Sequence, residues 1–149
     1  MWRDLARKII CEFEGCAFRA YQDQGGVWTC GWGSTGSDIG PDTVFTQAEA
    51  DARLDAHLQE VYDQVKILVK QNLSQPQIAA LICFVYNVGS GNFSKSTLLA
   101  CVNAGHYDDA ANEFQRWDKD KGVQIPGLLR RRLAERDLFL APDSNPCNA

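Results

Sequence analysis

The sequence predicts a fold in which one small antiparallel sheet near the N-terminus is followed by a series of α-helices. Three observations predict it: a helical apolar pattern over residues 3–14, a glycine-rich stretch of strand-forming residues over 18–35, and helical apolar spacing from residue 46 onward. The chain has 149 residues, which suits one domain or two small lobes that share a core.

The first helix is predicted over residues 3–14, where apolar side chains recur on one face. Gly15 follows directly, as expected of a glycine that ends a helix. Residues 18–35 contain Trp, Val and Thr together with too much glycine for a helix. This composition predicts a short antiparallel hairpin that turns near Gln24–Gly26.

A long helix is predicted from residue 46 to about Lys70. Thr46 and Glu49 have the spacing of a capping box, in which each side chain accepts a hydrogen bond from the other residue's backbone N–H. Apolar residues then recur at helical spacing, namely Leu54, Leu58, Val61, Val65 and Leu68. A helix of this length in a small protein often bridges two lobes.

Further helices are predicted in the C-terminal half. Ser74 and Gln77 form a second capping box with Pro76 in its first turn, and the helix that follows is apolar nearly all round until Gly89. Three shorter helical segments come next, at residues 97–104, 107–114 and 128–140. The tail, residues 143–149, is expected to be mobile.

Composition and charge exclude several classes of protein. The chain is 45% hydrophobic and 23% charged, which is ordinary for a soluble globular protein. Its net charge of −4 argues against nucleic acid as the main partner, because phosphate binding needs clustered Lys and Arg. The longest apolar run, Ile78–Tyr86, is shorter than the ~18 residues that span a bilayer. The N-terminus lacks an export signal, so we expect neither stable membrane insertion nor export by a leader.

The cysteines predict neither a metal site nor a unique disulfide pattern. They lie at positions 11, 16, 30, 83, 101 and 147, and their even number permits many pairings. Because neither a C-x-x-C pair nor a Cys/His ligand spacing occurs, we expect no metal. Cys83 and Cys101 lie on apolar helical stretches and are expected to be small buried hydrophobes.

The glycines of the stretch Gly31-Trp-Gly33-Ser-Thr-Gly36 spell the dinucleotide fingerprint. In a dinucleotide site these glycines open a helix, whose N-terminus faces the pyrophosphate. Here they are followed by loop chemistry, so we expect no nucleotide cofactor. Tight turns and close backbone approach explain them better.

Two carboxylates in unlike surroundings suggest acid–base chemistry. Glu14 ends a predicted helix, where the negative end of the helix dipole disfavours the ionised form and suits a general acid. Asp23 lies in a polar turn and is expected to be hydrated and charged. Such a pair is what cleavage of a glycosidic bond needs, and Thr29 in the predicted strand could hold a water. The alternatives are that Asp23 is an ordinary turn residue, Thr29 an ordinary strand residue and Glu14 a surface residue.

One spacing pattern resembles the phage lysozyme (endolysin) family of glycoside hydrolases. It consists of Glu14-Gly15, Asp23 nine residues after Glu14, Thr29 six residues after Asp23, and then Gly31-x-Gly33. The likeness continues over residues 5–140. The segment 84–99 is similar to that family's central helix, and the segments Phe114–Gly122 and Gly127–Leu140 are similar to its closing helices.

The resemblance implies a lysozyme-like α+β fold within a single catalytic domain, residues 1–149. A small N-terminal sheet lobe (about 12–45) and a larger helical lobe (about 70–140) would flank a cleft and be joined by the helix at about 46–70. It also implies a monomer that hydrolyses the β-1,4 bond between N-acetylmuramic acid and N-acetylglucosamine in bacterial peptidoglycan. No cofactor is implied.

The resemblance also implies roles for individual residues. Glu14 would be the general acid, and Asp23 and Thr29 would position the attacking water, with inversion of the anomeric centre. Tyr86, Asn87 and Ser96 fall where the family contacts sugar, although helix packing and capping explain them as well. The pair at 131 and 132 matches a paired-Arg motif, which could form ion pairs or face solvent.

The chain departs from the family pattern at Ser34, where a histidine is common. His57 and His106 match no catalytic position, so surface roles are expected for both. Some relatives are held inactive by a disulfide, and thiols at Cys11, Cys16 and Cys30 flank the proposed catalytic residues. Redox control is therefore one hypothesis, and reduced packing residues are the other.

The predicted biological role is that of an endolysin held in the host cytoplasm until it is released to the cell wall or periplasm. Two alternatives remain. One is a lysozyme-like module that binds peptidoglycan without cutting it, against which the intact Glu14, Asp23 and Thr29 argue. The other is a wall-degrading toxin or spike domain delivered into a rival cell.

Overall fold

The computed structural model describes residues 1–143, and the prediction of a mobile tail and the pairing of Cys147 lie outside that part of the chain. Within it the elements are, in order, α1 Trp2–Glu14, β1 Ala17–Gln22, β2 Trp28–Gly31, α2 Gln47–Leu68, α3 Gln75–Val88, α4 Ser90–Ser94, α5 Thr97–Asn103, α6 Tyr107–Glu113, a 3₁₀ turn Phe114–Arg116, β3 Lys119–Asp120, β4 Val123–Gln124 and α7 Pro126–Phe139. The mixture of helices with small antiparallel sheets is the predicted α+β class.

The N-terminal helix and hairpin form as predicted. Gly15 adopts φ +66° after α1, a conformation that favours glycine at a helix end. β1 pairs with β2 in antiparallel fashion, with Tyr21 opposite Thr29. The register shifts between Ala17 and Tyr21, which marks an irregularity of the bulge type in β1.

The long helix α2 begins with the predicted capping box. The backbone N–H of Thr46 donates to Glu49 Oε2 at 3.1 Å, and the N–H of Glu49 donates to Thr46 Oγ1 at 3.1 Å. The apolar stripe of the helix is buried at Leu54, Leu58, Val61 and Val65. Local capping and periodicity therefore determine this helix, which ends at Leu68, close to the predicted end at Lys70.

The chain divides into two compact units: residues 10–60, and residues 1–9 together with residues 61 onward. In the unit of residues 10–60, Ala20, Cys30 and Ile39 form a buried cluster against which Trp28 and Phe45 pack. Ala20, Trp28 and Cys30 come from one face of the hairpin, as the alternation of side chains along a strand requires.

The second unit has an aromatic core around α3. Phe84 makes edge contacts with Phe93, Phe114 and Trp117 at ring-centre distances of 6.2, 5.6 and 5.4 Å. The capping box of α3 forms as predicted, with Ser74 Oγ accepting from Gln77 N at 3.3 Å.

The paired arginines are ion-paired inside the protein rather than facing solvent. Arg131 Nε lies 3.2 Å from Glu135 Oε1, and Arg132 Nε lies 2.8 Å from Glu135 Oε2, with all three side chains buried. The Arg132 guanidinium also stacks over the ring of Phe84 at 5.1 Å. These contacts favour the structural alternative for the paired-Arg motif.

Three predictions for the C-terminal half are wrong. The segment Phe114–Gly122 is not a closing helix: after a 3₁₀ turn it enters the β3–β4 hairpin, because Lys121 and Gly122 adopt φ +49° and +80°, as a tight hairpin turn needs. Cys101 is half-buried rather than buried. The last helix begins at Pro126, two positions before the predicted start, because proline is favoured in the first turn.

Candidate active site

Glu14 is the last residue of α1, and its side chain is half-buried. Its carboxylate lies against the backbone of Gly33: a β-carbon added at Gly33 would stand 2.8 Å from Glu14 Oε2. Gly33 also has φ +83°, which favours glycine for a second reason. This confirms the expected close backbone approach at one of the fingerprint glycines.

Asp23 is held in the exposed turn between β1 and β2. Its Oδ1 accepts the backbone N–H groups of Gly25 and Val27, both at 2.9 Å. The side chain thus folds over its own turn, as Asp commonly does. Within residues 1–143 the second oxygen, Oδ2, accepts no hydrogen bond from the protein, so it has acceptor capacity to spare.

Thr29 lies in β2 and is only 5% exposed. Its hydroxyl donates to the carbonyl of Val27 at 3.0 Å. Because the proton is used in this bond, the lone pairs of Oγ1 are left to accept a hydrogen bond. Val27 therefore fixes both side chains: its N–H holds Asp23, and its carbonyl holds Thr29.

The electrostatics around Tyr21 relate the two carboxylates to each other. Burial raises the pKa of the Tyr21 phenol, and the negative charges of Glu14 and then of Asp23 raise it further. Tyr21 is also the cross-strand partner of Thr29. The structure thus brings Glu14, Asp23 and Thr29 into the neighbourhood of one tyrosine, which the sequence analysis did not single out.

The segment after the glycines of Gly31–Gly36 lacks the helix that a dinucleotide site needs. Residues 32–46 contain no helix, so the glycine fingerprint does not present a helix N-terminus to a phosphate. Instead the chain turns back, and Cys30 and Ser34 exchange two backbone hydrogen bonds of 2.9 Å.

Comparison with known proteins identifies the chain. Residues 11–135 match the phage lysozyme family, a range that includes Glu14, Asp23 and Thr29. The chain belongs to the phage lysozyme family.

Relatives and solved structures agree with this membership. The chain is 41% identical over 138 residues to the endolysin of Bacillus phage B103, with 91% of this chain and 52% of that protein covered. It is 41% identical over 127 residues to the SAR-endolysin of Bacteriophage PS119, with 85% and 76% covered. The muramidase domain of SpmX from Asticaccaulis excentricus superposes with a TM-score of 0.85 at 33% identity, over 92% of this chain and 95% of that domain. The chain spans about half the length of the Bacillus phage relative.

The three residues predicted to contact sugar lie in the second compact unit of this phage lysozyme family member. Tyr86 is half-buried and Asn87 is exposed, both in the last turn of α3. Ser96 is the N-cap of α5: its Oγ accepts from Leu99 N at 3.1 Å and donates to Phe93 O at 2.7 Å. Ser96 therefore caps α5, as one of the two alternatives for this residue predicted. The sugar contacts of Tyr86, Asn87 and Ser96 remain predictions.

At the position where the family often has histidine, Ser34 is buried, and among the described residues its hydroxyl oxygen has no hydrogen-bond partner. Ser34 and His57 line one pocket of about 300 Å³ together with Thr35, Arg53, Ala56 and Glu60. His57 is therefore half-buried rather than an ordinary surface residue, which corrects the prediction, whereas His106 is exposed as expected.

Within residues 1–143, Cys16 and Cys30 are free thiols. Cys30 is buried, and its Sγ donates to the carbonyl of Ala17 at 3.4 Å. Burial raises the pKa of Cys16, and the charges of Asp51 and Cys30 add to that shift. The redox hypothesis remains a prediction.

Within residues 1–143, His, Cys, Asp and Glu form no group of three or more that could hold a metal ion. In the same part of this family member, no helix combines the length and the apolar character needed to cross a membrane.

Proposed function

We propose that this chain hydrolyses the β-1,4 bond between N-acetylmuramic acid and N-acetylglucosamine in bacterial peptidoglycan. The observation that carries the proposal is the shared neighbourhood of Glu14, Asp23 and Thr29, since both carboxylates act on the phenol that pairs with Thr29. Membership of the phage lysozyme family and the endolysin names of its relatives support the same substrate class.

Glu14 is the general acid of the proposed reaction. It donates its proton to the glycosidic oxygen as the bond to the anomeric carbon breaks. The close contact with Gly33 limits where the carboxyl group can go, and a fixed donor transfers its proton more effectively than a mobile one.

Asp23 and Thr29 position the attacking water. A water has two protons, and two acceptors are free for them: Oδ2 of Asp23 and the lone pairs of Thr29 Oγ1. A water that donates to both directs its own lone pair toward the anomeric carbon. As the water oxygen bonds to the anomeric carbon, the Asp23 carboxylate takes up the proton that the water loses, and attack from the far side inverts the anomeric centre. The same carboxylate stabilises the positive charge that develops on the sugar.

Tyr86, Asn87 and Ser96 are proposed to contact sugar on the strength of the family resemblance alone. The family resemblance is likewise the basis for proposing that the enzyme is a monomer and that it reaches the host cell wall at lysis. The name SAR-endolysin, carried by several relatives, supports a role outside the cytoplasm.

Loss of turbidity of purified cell walls tests the proposal. Glu14→Gln and Asp23→Asn should each lower the rate by at least about 100-fold while the far-UV circular dichroism stays unchanged. Glu12→Gln is the matched control, because Glu12 is an exposed acid on the same helix. Equal clearing by Glu14→Gln and wild type would contradict the assignment of the acid.

Mass spectrometry of the released fragments separates the chemical outcomes. Hydrolysis leaves a reducing muramic acid end, whereas a transglycosylase would leave an anhydro sugar. If the folded wild-type protein binds walls but releases no fragment, the non-catalytic binding module is the better description.

A further inference from the structure

We infer that Tyr21 is a further substrate-contacting residue, whose phenol hydroxyl donates a hydrogen bond to a hydroxyl or acetamido oxygen of the sugar that lies between Glu14 and Asp23. The inference rests on the proposed function and deepens it, since it adds a donor beside Glu14, Asp23 and Thr29, which supply acceptors and one acid. Three properties of Tyr21 carry it: its place in the sheet, its exposure and its unused hydroxyl.

The sheet places Tyr21 on the same face as Thr29. The two residues are directly opposite in the antiparallel pair, and opposite residues point to the same side of a sheet. The register shift between Ala17 and Tyr21 brings Tyr21, rather than another β1 residue, into this position. Such irregularities commonly re-aim a side chain beside an active site.

The ring of Tyr21 is not part of the core. It is 44% exposed, whereas Ala20 next to it belongs to the buried cluster of residues 10–60. Among residues 1–143 the ring packs against no other aromatic ring. A large aromatic side chain left open beside two carboxylates offers an apolar face for the C–H groups of a sugar and a polar tip for its oxygens.

Glu14, Asp23 and Thr29 keep no proton for a further oxygen of the sugar. Thr29 uses its proton on the Val27 carbonyl, Asp23 acts as a carboxylate, and Glu14 gives its proton to the leaving oxygen. No protein hydrogen bond is recorded for the Tyr21 hydroxyl in the described chain, so its proton is available to the substrate.

The neighbouring charges keep this donor protonated. Burial raises the pKa of Tyr21, and the Glu14 and Asp23 carboxylates, followed by the Cys30 sulfur, raise it further above the ordinary value of 10.0. The phenol therefore remains a hydrogen-bond donor at every pH at which Glu14 can act as an acid while Asp23 is ionised.

Binding to an inactive background tests the inference. The Glu14→Gln variant is titrated calorimetrically with a soluble peptidoglycan tetrasaccharide, alone and combined with Tyr21→Phe, Tyr21→Ala or Phe18→Ala. Tyr21→Phe keeps the ring and removes only the hydroxyl, so we expect the Kd to rise about ten-fold, the effect of one lost hydrogen bond. Tyr21→Ala should weaken binding further.

Phe18→Ala is the matched control, because Phe18 is an aromatic residue of the same strand with 48% exposure. It should leave the Kd within about two-fold of the Glu14→Gln value. With active enzyme, Tyr21→Phe should raise KM more than it lowers kcat, a split that a merely structural role would not produce.

The outcomes separate this inference from the proposed function. If Tyr21→Phe and Tyr21→Ala both bind as the Glu14→Gln background does, or if that background does not bind the tetrasaccharide, Tyr21 is not a sugar contact. Wall cleavage by the wild type is a separate measurement, which tests the proposed function and not the contact of Tyr21 with sugar. A wild type that fails to cleave walls overturns the proposed function, while a ten-fold effect of Tyr21→Phe on binding would still support the contact.

Discussion

Gly33 lies so close to Glu14 that a β-carbon at position 33 would stand 2.8 Å from the carboxylate oxygen Oε2. No real β-carbon tolerates that distance, so either the loop or the carboxylate would have to move. Because the carboxylate is the end of a flexible side chain, it would move first. The glycine therefore keeps the space that the proposed acid occupies.

Gly33→Ala should consequently cost activity as well as stability. We expect about 1–2 kcal/mol of lost unfolding free energy from the positive φ, and about a 100-fold lower rate of wall clearing from the displaced carboxyl. Gly122→Ala is the control, since Gly122 has φ +80° and nothing within 4 Å of an added β-carbon. It should lose similar stability in urea unfolding but no activity. Equal activity of the two variants would contradict the role of Gly33.

The hydroxyl of Thr29 should matter more than its methyl group. Thr29→Val keeps the shape but removes one of the two donors to the Val27 carbonyl, which keeps the Asp23 N–H at 2.9 Å, so we expect about 1 kcal/mol of lost stability or less. If Oγ1 also holds the water, wall clearing should fall about 100-fold. Thr29→Ser retains the hydroxyl and should keep most of the activity. Thr29→Val with full activity would remove Thr29 from the proposed mechanism.

A substitution in the β3–β4 turn should raise the free energy of unfolding. Lys121 has φ +49°, and within residues 1–143 it is the one non-glycine residue with a positive φ. Lys121→Asn places Asn-Gly in this turn, so we expect about 0.5–1 kcal/mol of added stability in urea unfolding. Lys119→Asn, in the strand itself, is the control and should not stabilise. A neutral or destabilising effect of Lys121→Asn would show that the turn is not strained.

His57 should make the protein less stable in mild acid. Burial lowers its pKa below the ordinary 6.5, and Arg53 lowers it further, while Glu60 and Glu14 oppose the shift. As the pH falls, the unfolded chain therefore takes up a proton before the folded protein does. The contribution of His57 to the free energy of unfolding is complete above pH 6.5 and is lost as the pH falls toward the folded-state pKa.

His57→Gln should remove this part of the pH dependence, as measured by urea unfolding between about pH 8 and pH 5. His106→Gln is the matched substitution of an exposed histidine, and the profile of His57→Gln is compared with it. Identical profiles for wild type and His57→Gln would mean that His57 titrates alike in both states.

Several elements could be predicted because their signals are local. The side chains of Thr46 and Ser74 cap the helices that follow them, Gly15 ends α1, and Leu54 and Leu58 repeat with the period of the helix that buries them. The helix α4, Ser90–Ser94, could not be predicted in this way, because five residues are too few to show an apolar period. The β3–β4 hairpin escaped for a similar reason, since each of its strands has only two residues.

In the candidate site, too, some residues could be identified from the sequence and one could not. The residue types and spacing of Glu14, Asp23 and Thr29 identify candidates for acid–base chemistry and carry the resemblance to the family. Tyr21 carries no such signal, because an aromatic residue in a strand is ordinary. Only its pairing with Thr29 and the charges around its phenol mark it out.

Residues close together in the sequence were enough to predict the caps of α2 and α3, the end of α1 at Gly15 and the family to which the chain belongs. These properties depend on near neighbours, because caps, turns and periodicity act over a few residues. The tertiary structure decided that Gly33 meets Glu14, that Tyr21 stands opposite Thr29, and that Arg131 and Arg132 are buried on Glu135. Those relationships depend on the path of the backbone and on the solvent that packing excludes, and a linear pattern of residues records neither.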